Sequence, residues 1–206
     1  MIQPMIGPFL SRRCAAGLYA LLLTVWVAGC GERAGIGPVE VVLGDGAGSP
    51  VDPLPVNRSP ATVWVFLTVD CPIANAYAPE LRAIAGRCRD LGVGVFLVHV
   101  DPGVTAAEAV AHARRYGLEG SVVLDAEHRL VAHAGASRTP EAAVFDGAGE
   151  LRYLGRIDDR FPALGARRAA ASRHELREAI EAVATGAGAV PPGAPAVGCE
   201  IEELGP

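Results

Sequence analysis

Thiol chemistry is the first possibility raised by the side chains of this 206-residue chain. Cys71 stands in Val69-Asp70-Cys71-Pro72, directly after the apolar, β-branched run ATVWVFLT at 61–68. Such a run reads as a strand buried on both faces. Pro72 then opens a helix, because proline is favoured where the backbone N–H would be unpaired anyway. A cysteine at that junction meets the free N–H groups and the dipole of a helix N-terminus, which stabilise an anion. The thiolate is the nucleophilic form of cysteine, so the position favours reactivity. Asp70 works the other way, since an adjacent carboxylate raises a thiol pKa. The sequence leaves that balance open, beside the plainer reading of Cys71 as a buried structural cysteine.

Other chemistries find less support. Five histidines, His99, His112, His128, His133 and His174, are scattered without the close spacing of a metal site. Of these, His99 ends a strand near the edge that carries Cys71. The cluster Arg156-Ile157-Asp158-Asp159-Arg160 reads as surface charges pairing with one another. All 18 basic residues are arginine, so a catalytic lysine, a Schiff base and a P-loop are ruled out. A formal charge of −5 lacks the footprint of a nucleic-acid binder. With half the residues hydrophobic and 20% charged, the chain is not disordered. No cofactor and no metal are expected.

Strands and helices alternate around the cysteine. VEVVL at 39–43 is a short strand candidate. After Pro72, the residues Ile73, Tyr77, Leu81, Ile84 and Cys88 recur at helical spacing, with Pro79 expected to kink the helix. Cys88 lies 17 residues beyond Cys71. Along a helix that is ~25 Å, far beyond the ~7 Å Cα limit of a disulfide, and Cys88 falls on the apolar face. GVGVFLVHV at 92–100 is a second buried strand, closed by Asp101-Pro102. Thr105-x-x-Glu108 and Ser172-x-x-Glu175 read as capping boxes for two further helices. SVVLD at 121–125 is a strand, followed by a brief helix, and 141–146 and 151–157 flank Gly147-Ala148-Gly149 as a β-hairpin. Residues 187–206 form a Gly/Pro-rich tail, flexible or extended, that carries Cys199. The order β-α-β-α-β-(α)-β-β-α calls for a parallel sheet with an antiparallel edge. The predicted class is thus α/β, a central mixed sheet flanked by helices.

Residues 1–29 read as an export signal. Arg12 and Arg13 precede the apolar run 15–29, with no acid in the segment. Fifteen residues span ~22 Å as a helix, short of the ~30 Å of a bilayer core. Val27-Ala28-Gly29-Cys30 resembles a bacterial lipobox. That resemblance implies cleavage before Cys30, lipidation of its sulfur and a membrane anchor in the cell envelope, facing the periplasm or exterior. An ordinary cleaved signal is the alternative. The expected organisation is a signal over 1–29, a tether over 30–38, a domain over 39–186 and the tail. Beyond the cytoplasm, disulfides are permitted.

The Cys-Pro at the first strand-to-helix junction and the Thr-Pro before the hairpin resemble a thioredoxin fold. More narrowly, FLTVDCPIANAYAPEL (66–81), SVVLDAEHRLVAHAGASRTPEAAVFDGAGELRYLGRIDD (121–159) and VGCE (197–200) are similar to redoxin-domain proteins. This is the family of alkyl hydroperoxide reductase and thiol-specific antioxidant proteins, which borders on thiol-disulfide oxidoreductases. The resemblance implies Cys71 as nucleophile, Pro140 as the cis-proline facing it, and Thr68 as a hydroxyl that orients peroxide and thiolate. It also places Cys199 like a resolving cysteine. A Cys88–Cys199 disulfide or a free tail thiol are the alternatives for that residue. The chain departs from both parent patterns. Ala74 stands where Cys-x-x-Cys would need its second thiol, and Trp64 stands where the peroxiredoxin pattern has proline. Counting six back from Asp146 gives Pro140 in place of the peroxiredoxin arginine, leaving Arg138 as a possible auxiliary. The implied substrates are a peroxide or a disulfide, with an external thiol as reductant. A non-catalytic lipoprotein that binds a partner, or a client carrying a thiol or metal, is the competing expectation.

Overall fold

The computed structural model describes residues 39–42, 48–54 and 56–204. The expected signal over 1–29 and Cys30 lie outside the described residues. Nine strands are described: β1 (Val39–Val42), β2 (Gly48–Val51), β3 (Ala61–Leu67), β4 (Gly94–His99), β5 (Ser121–Leu124), β6 (Arg138–Thr139), β7 (Glu141–Asp146), β8 (Leu151–Gly155) and β9 (Cys199–Glu200). Five helices accompany them: α1 (Pro72–Ala76), α2 (Ala78–Leu91), α3 (Ala106–Tyr116), α4 (Arg129–Ala134) and α5 (Glu175–Thr185).

Seven strands form one mixed sheet in the order β2-β1-β5-β4-β3-β7-β8. β3 runs parallel to β4, and β4 parallel to β5, while β7 and β8 add an antiparallel edge. All seven residues of β3 are buried. Alternation along the strand sends Val63, Val65 and Leu67 toward a core shared with Leu81, Ile84, Cys88, Leu176 and Ile180 of α2 and α5. Trp64 and Phe66 point the other way, against Val98, Phe145 and Leu130 of α4. The apolar run is unbroken because both faces are covered.

The helix after Cys71 is two helices. α1 ends at Tyr77, whose φ of −81° and ψ of −5° turn the chain, and Pro79 sits in the first turn of α2. Proline interrupts the ladder as expected and then begins the next helix. The capping box at Thr105 forms in full, with Glu108 N–H donating to Thr105 Oγ1 at 3.3 Å and Thr105 N–H to Glu108 Oε2 at 2.9 Å.

The second expected box does not form. α5 begins at Glu175, and Ser172 instead donates to Asp159 through its N–H at 2.7 Å and its hydroxyl at 2.6 Å. Asp158 and Asp159 are buried, contrary to the surface reading of the 156–160 cluster. A buried carboxylate needs donors, and that demand outweighs a local cap. Arg160 does pair with Asp158 at 3.1 Å, but it also reaches Glu80 at 3.4 Å, while Arg156 pairs with the buried Glu175.

The tail is pinned along the fold. The Arg156 N–H donates to Ala194 O at 2.9 Å, and Ala196 is buried. At Gly155 a Cβ would lie 2.7 Å from Ala194 O, so only glycine lets the tail run this close to β8. The extended alternative holds for this segment, because its backbone is used by the sheet edge.

Candidate active site

Cys71 is the N-cap of α1, with its backbone extended at φ −72° and ψ 110°. This geometry turns Sγ back over the first turn, where it accepts from the Ala74 N–H at 3.5 Å. As a thiol, Sγ donates to the Thr139 carbonyl at 3.0 Å. Thr139 precedes Pro140, and the bond between them is cis. The expected cis-proline is thus present and faces the thiol through Thr139.

The second thiol arrives from the tail. β9 pairs antiparallel with β6, placing Thr139 opposite Cys199 and Arg138 opposite Glu200. The ladder is extended by Ile201 N–H to Ser137 O at 3.0 Å. A Cβ at Gly198 would overlap the Thr139 carbonyl, so glycine is required where β9 settles. Cys71 and Cys199 line one cleft of about 230 Å³ with Thr68, Asp101 and Pro102. Both are free thiols, Cys71 buried and Cys199 exposed.

Burial pushes the Cys71 thiol up, yet its pKa lies below the usual 9.0. The Ala74 N–H, the Cys199 N–H and thiol, and the Thr139 side chain together outweigh desolvation. Burial, and then Cys71 itself, push Cys199 up to about 11. The pair therefore divides into a more acidic thiol, Cys71, and a less acidic one, Cys199, beside it. Asp70 is exposed, and the hydrogen bonds to Sγ outweigh burial in setting the direction of the Cys71 pKa.

Two further expected site residues make contacts of their own beside the cleft. Thr68 Oγ1 meets Thr139 Oγ1 at 3.2 Å and does not bond Sγ, so it steadies the residue that faces the thiol. The reason is that Thr139, in β6, lies between it and Cys71. Arg138 turns toward the tail, bonding Glu200 Oε1 at 2.9 Å and Gly198 O at 3.4 Å. Its guanidinium is committed to a carboxylate of β9. Cys88 is buried in the α2 core, pushed up to about 11 by burial and then by Glu181. With Cys199 against Cys71, the alternative Cys88–Cys199 pairing is set aside.

Sequence reasoning missed a polar chain beneath the site. His99 Nε2 lies 3.0 Å from His112 Nδ1, and His112 Nε2 lies 2.7 Å from Asn75 Oδ1. Asn75 Nδ2 donates to Val69 O at 3.2 Å, which ties α1 to the loop before Cys71. That bond assigns the asparagine oxygen to His112, so the Nε2 of each ring carries a proton. His99 Nδ1 is left buried without a partner. Scattered in sequence, two of the five histidines are neighbours in space. Asp101, which ends the segment after β4, accepts from the Val69 N–H at 3.0 Å. Burial holds its carboxyl above the ordinary range, and the Val69 bond opposes this.

The His99 ring yields a pH prediction. Burial, and then His112, push its pKa from 6.5 to about 4. The unfolded chain binds a proton in that window that the folded chain refuses. Stability is therefore expected to fall as pH drops from 6.5 toward 4, by up to about 3 kcal/mol. Urea midpoints across that range check this, and a His99→Leu variant is expected to flatten the acid limb.

Two carboxylates and an imidazole also gather in one cluster. Ligand atoms of Glu80, Asp158 and His174 lie within 4.8 Å of one another. Arg177 meets Glu80 at 2.5 Å and Arg160 meets both acids, so these carboxylates already have cations.

The fold is thioredoxin-like, with helices on both faces of a mixed sheet. Comparison with solved structures bears this out. A hypothetical protein from Sinorhizobium meliloti superposes with a TM-score of 0.66 at 24% identity, covering 81% of this chain and 91% of that one. An uncharacterised conserved protein from Geobacillus kaustophilus gives 0.66 at 21%, covering 82% and 90%. A secreted Mycobacterium tuberculosis disulfide oxidoreductase gives 0.50 at 16%, covering 73% and 95%. No protein-family model and no curated protein matches the chain.

Proposed function

We propose that this chain is a thiol-dependent oxidoreductase of the redoxin type, with Cys71 as nucleophile and Cys199 as its resolving partner. The observation that carries this reading is two free thiols lining one cleft, Cys71 at the start of α1 and Cys199 brought there by the β6–β9 ladder. The Cys71 thiolate attacks a substrate sulfur or peroxide oxygen. Cys199 then displaces the product and closes a Cys71–Cys199 bond, and an external thiol restores the pair. Thr139 and Pro140 shape the groove, with Thr68 behind them.

Disulfide exchange is favoured over peroxide reduction. Arg138 is bound to Glu200 and Gly198, so it offers no cation to polarise a peroxide at Cys71. The lipobox-like Val27-Ala28-Gly29-Cys30 supports export and a lipid anchor at Cys30 in the cell envelope. Among the described residues, no helix is long and apolar enough to cross a membrane.

Purified protein treated with hydrogen peroxide and, separately, with a small disulfide tests the reading by mass spectrometry. A Cys71–Cys199 bond is the expected product, formed faster with the disulfide. A Cys71 inert to both reagents would leave the non-catalytic binding lipoprotein as the better account.

A further inference from the structure

Val69 and Asp70 join the end of β3 to Cys71, beyond the last paired residue of that strand. Backbone groups outside a ladder must find other partners. Both groups of Val69 find side chains. Its N–H donates to Asp101 Oδ2 at 3.0 Å, and its carbonyl accepts from Asn75 Nδ2 at 3.2 Å. The chain leading into Cys71 is thereby clamped from two sides, by the segment after β4 and by α1. Asn75 lies one turn into α1, and helical side chains lean toward the N-terminus, so its amide reaches back over the loop. Its own N–H donates to Cys71 O at 3.0 Å.

The clamp has a direction. A carbonyl only accepts, so Val69 O selects the nitrogen end of the Asn75 amide, and Asn75 Oδ1 is left to accept from His112 Nε2 at 2.7 Å. His112 Nδ1 then accepts from His99 Nε2 at 3.0 Å, and the run ends at the unpartnered His99 Nδ1. A flipped amide would turn its oxygen on Val69 O and its N–H on the N–H of His112. Both imidazoles are buried, so water does not relieve that mismatch.

We propose that Asn75 is a positioning residue for Cys71, aimed by His112 with His99 behind it. The proposal rests on Cys71 as the nucleophile and specifies what holds it in place. Sγ takes the Ala74 N–H at 3.5 Å and lies 3.0 Å from Thr139 O, and both contacts depend on where the loop delivers Cys71. The imidazoles act through the amide and the Val69 carbonyl, not on the sulfur.

Asn75→Ala, His112→Phe and the double variant test this in the full chain. Val110→Ala, a buried α3 residue outside the run, is the control for lost packing. Ultraviolet thiolate absorbance against pH gives the Cys71 midpoint. Acid quenching, alkylation and peptide mapping give the rate of Cys71–Cys199 closure with a small disulfide, and urea unfolding shows that each variant is folded. Asn75→Ala is expected to raise the Cys71 midpoint by about one pH unit and to slow closure by at least about tenfold. His112→Phe should give most of the same effect, and it carries the test if Asn75→Ala does not fold. The double variant should go no further than Asn75→Ala, because members of one network do not add. Val110→Ala should lower the urea midpoint and leave the Cys71 midpoint in place. An unmoved Cys71 midpoint in folded Asn75→Ala overturns the positioning role, and additive shifts in the double variant overturn the part given to His112. A wild-type chain that never closes the Cys71–Cys199 bond overturns the two-thiol reading, while the absorbance midpoints still decide the role of Asn75.

Discussion

Cys71→Ser is expected to lower thiol-disulfide turnover by about three orders of magnitude or more, because a serine hydroxyl cannot replace the thiolate. Cys199→Ala is expected to do something different. Cys71 still reacts once, but the product stops as a mixed disulfide or sulfenic acid. The Cys71 pKa should also rise, since the Cys199 thiol is one of the groups that lower it, while the Cys199 backbone N–H is retained. At a given pH the thiolate fraction then falls. Ultraviolet thiolate absorbance followed against pH reads this directly, with Cys71→Ser as the blank. An unchanged midpoint in Cys199→Ala would show that the two sulfurs do not communicate.

The largest effect on stability is expected at Trp64. This side chain is fully buried. Its ring lies 4.4 Å from Phe145 and 6.3 Å, edge to face, from Phe66. Its Nε1–H donates to Pro53 O at 2.9 Å, tying the segment before β3 to the sheet. Trp64→Ala should cost about 3–5 kcal/mol, a large share of the roughly 5–15 kcal/mol that holds a domain together. Trp64→Phe keeps most of the packing and loses the hydrogen bond, for about 1 kcal/mol. Urea unfolding measures both. A loss below about 1 kcal/mol for the alanine variant would mean that the second core does not depend on this ring.

These two sites show what sequence can and cannot carry. The β3 run, Cys71-Pro72 and the Thr105 capping box were legible because each depends on a local rule, and the Thr139-Pro140 pair was legible through a family resemblance. The order of elements along the chain and the hairpin followed from alternation. Residues whose partners lie far along the chain were not legible. Ser172 matches a capping motif but serves the buried Asp159 instead. Arg138 stands near the site in sequence, yet answers Glu200, 62 residues away. His99 and His112, 13 residues apart, meet only because the fold brings the end of β4 to α3. The tail was the hardest part. Its glycines and prolines read as a spacer, and nothing local marks Gly198 as the residue that lets β9 settle against Thr139.

The β6–β9 ladder also has a topological consequence. It brings together positions separated by most of the domain, so a Cys71–Cys199 bond closes a ring of about 130 residues. Shortening the unfolded chain to that extent favours folding by about 5 kcal/mol on a chain-entropy account. By reciprocity, whatever the bond adds to the fold, the fold adds to the bond. The oxidised chain should melt well above the reduced one, and unfolding should make the bond easier to reduce. Redox state and thermal endurance become a single variable, set by one cysteine at the start of α1 and one near the far end of the tail.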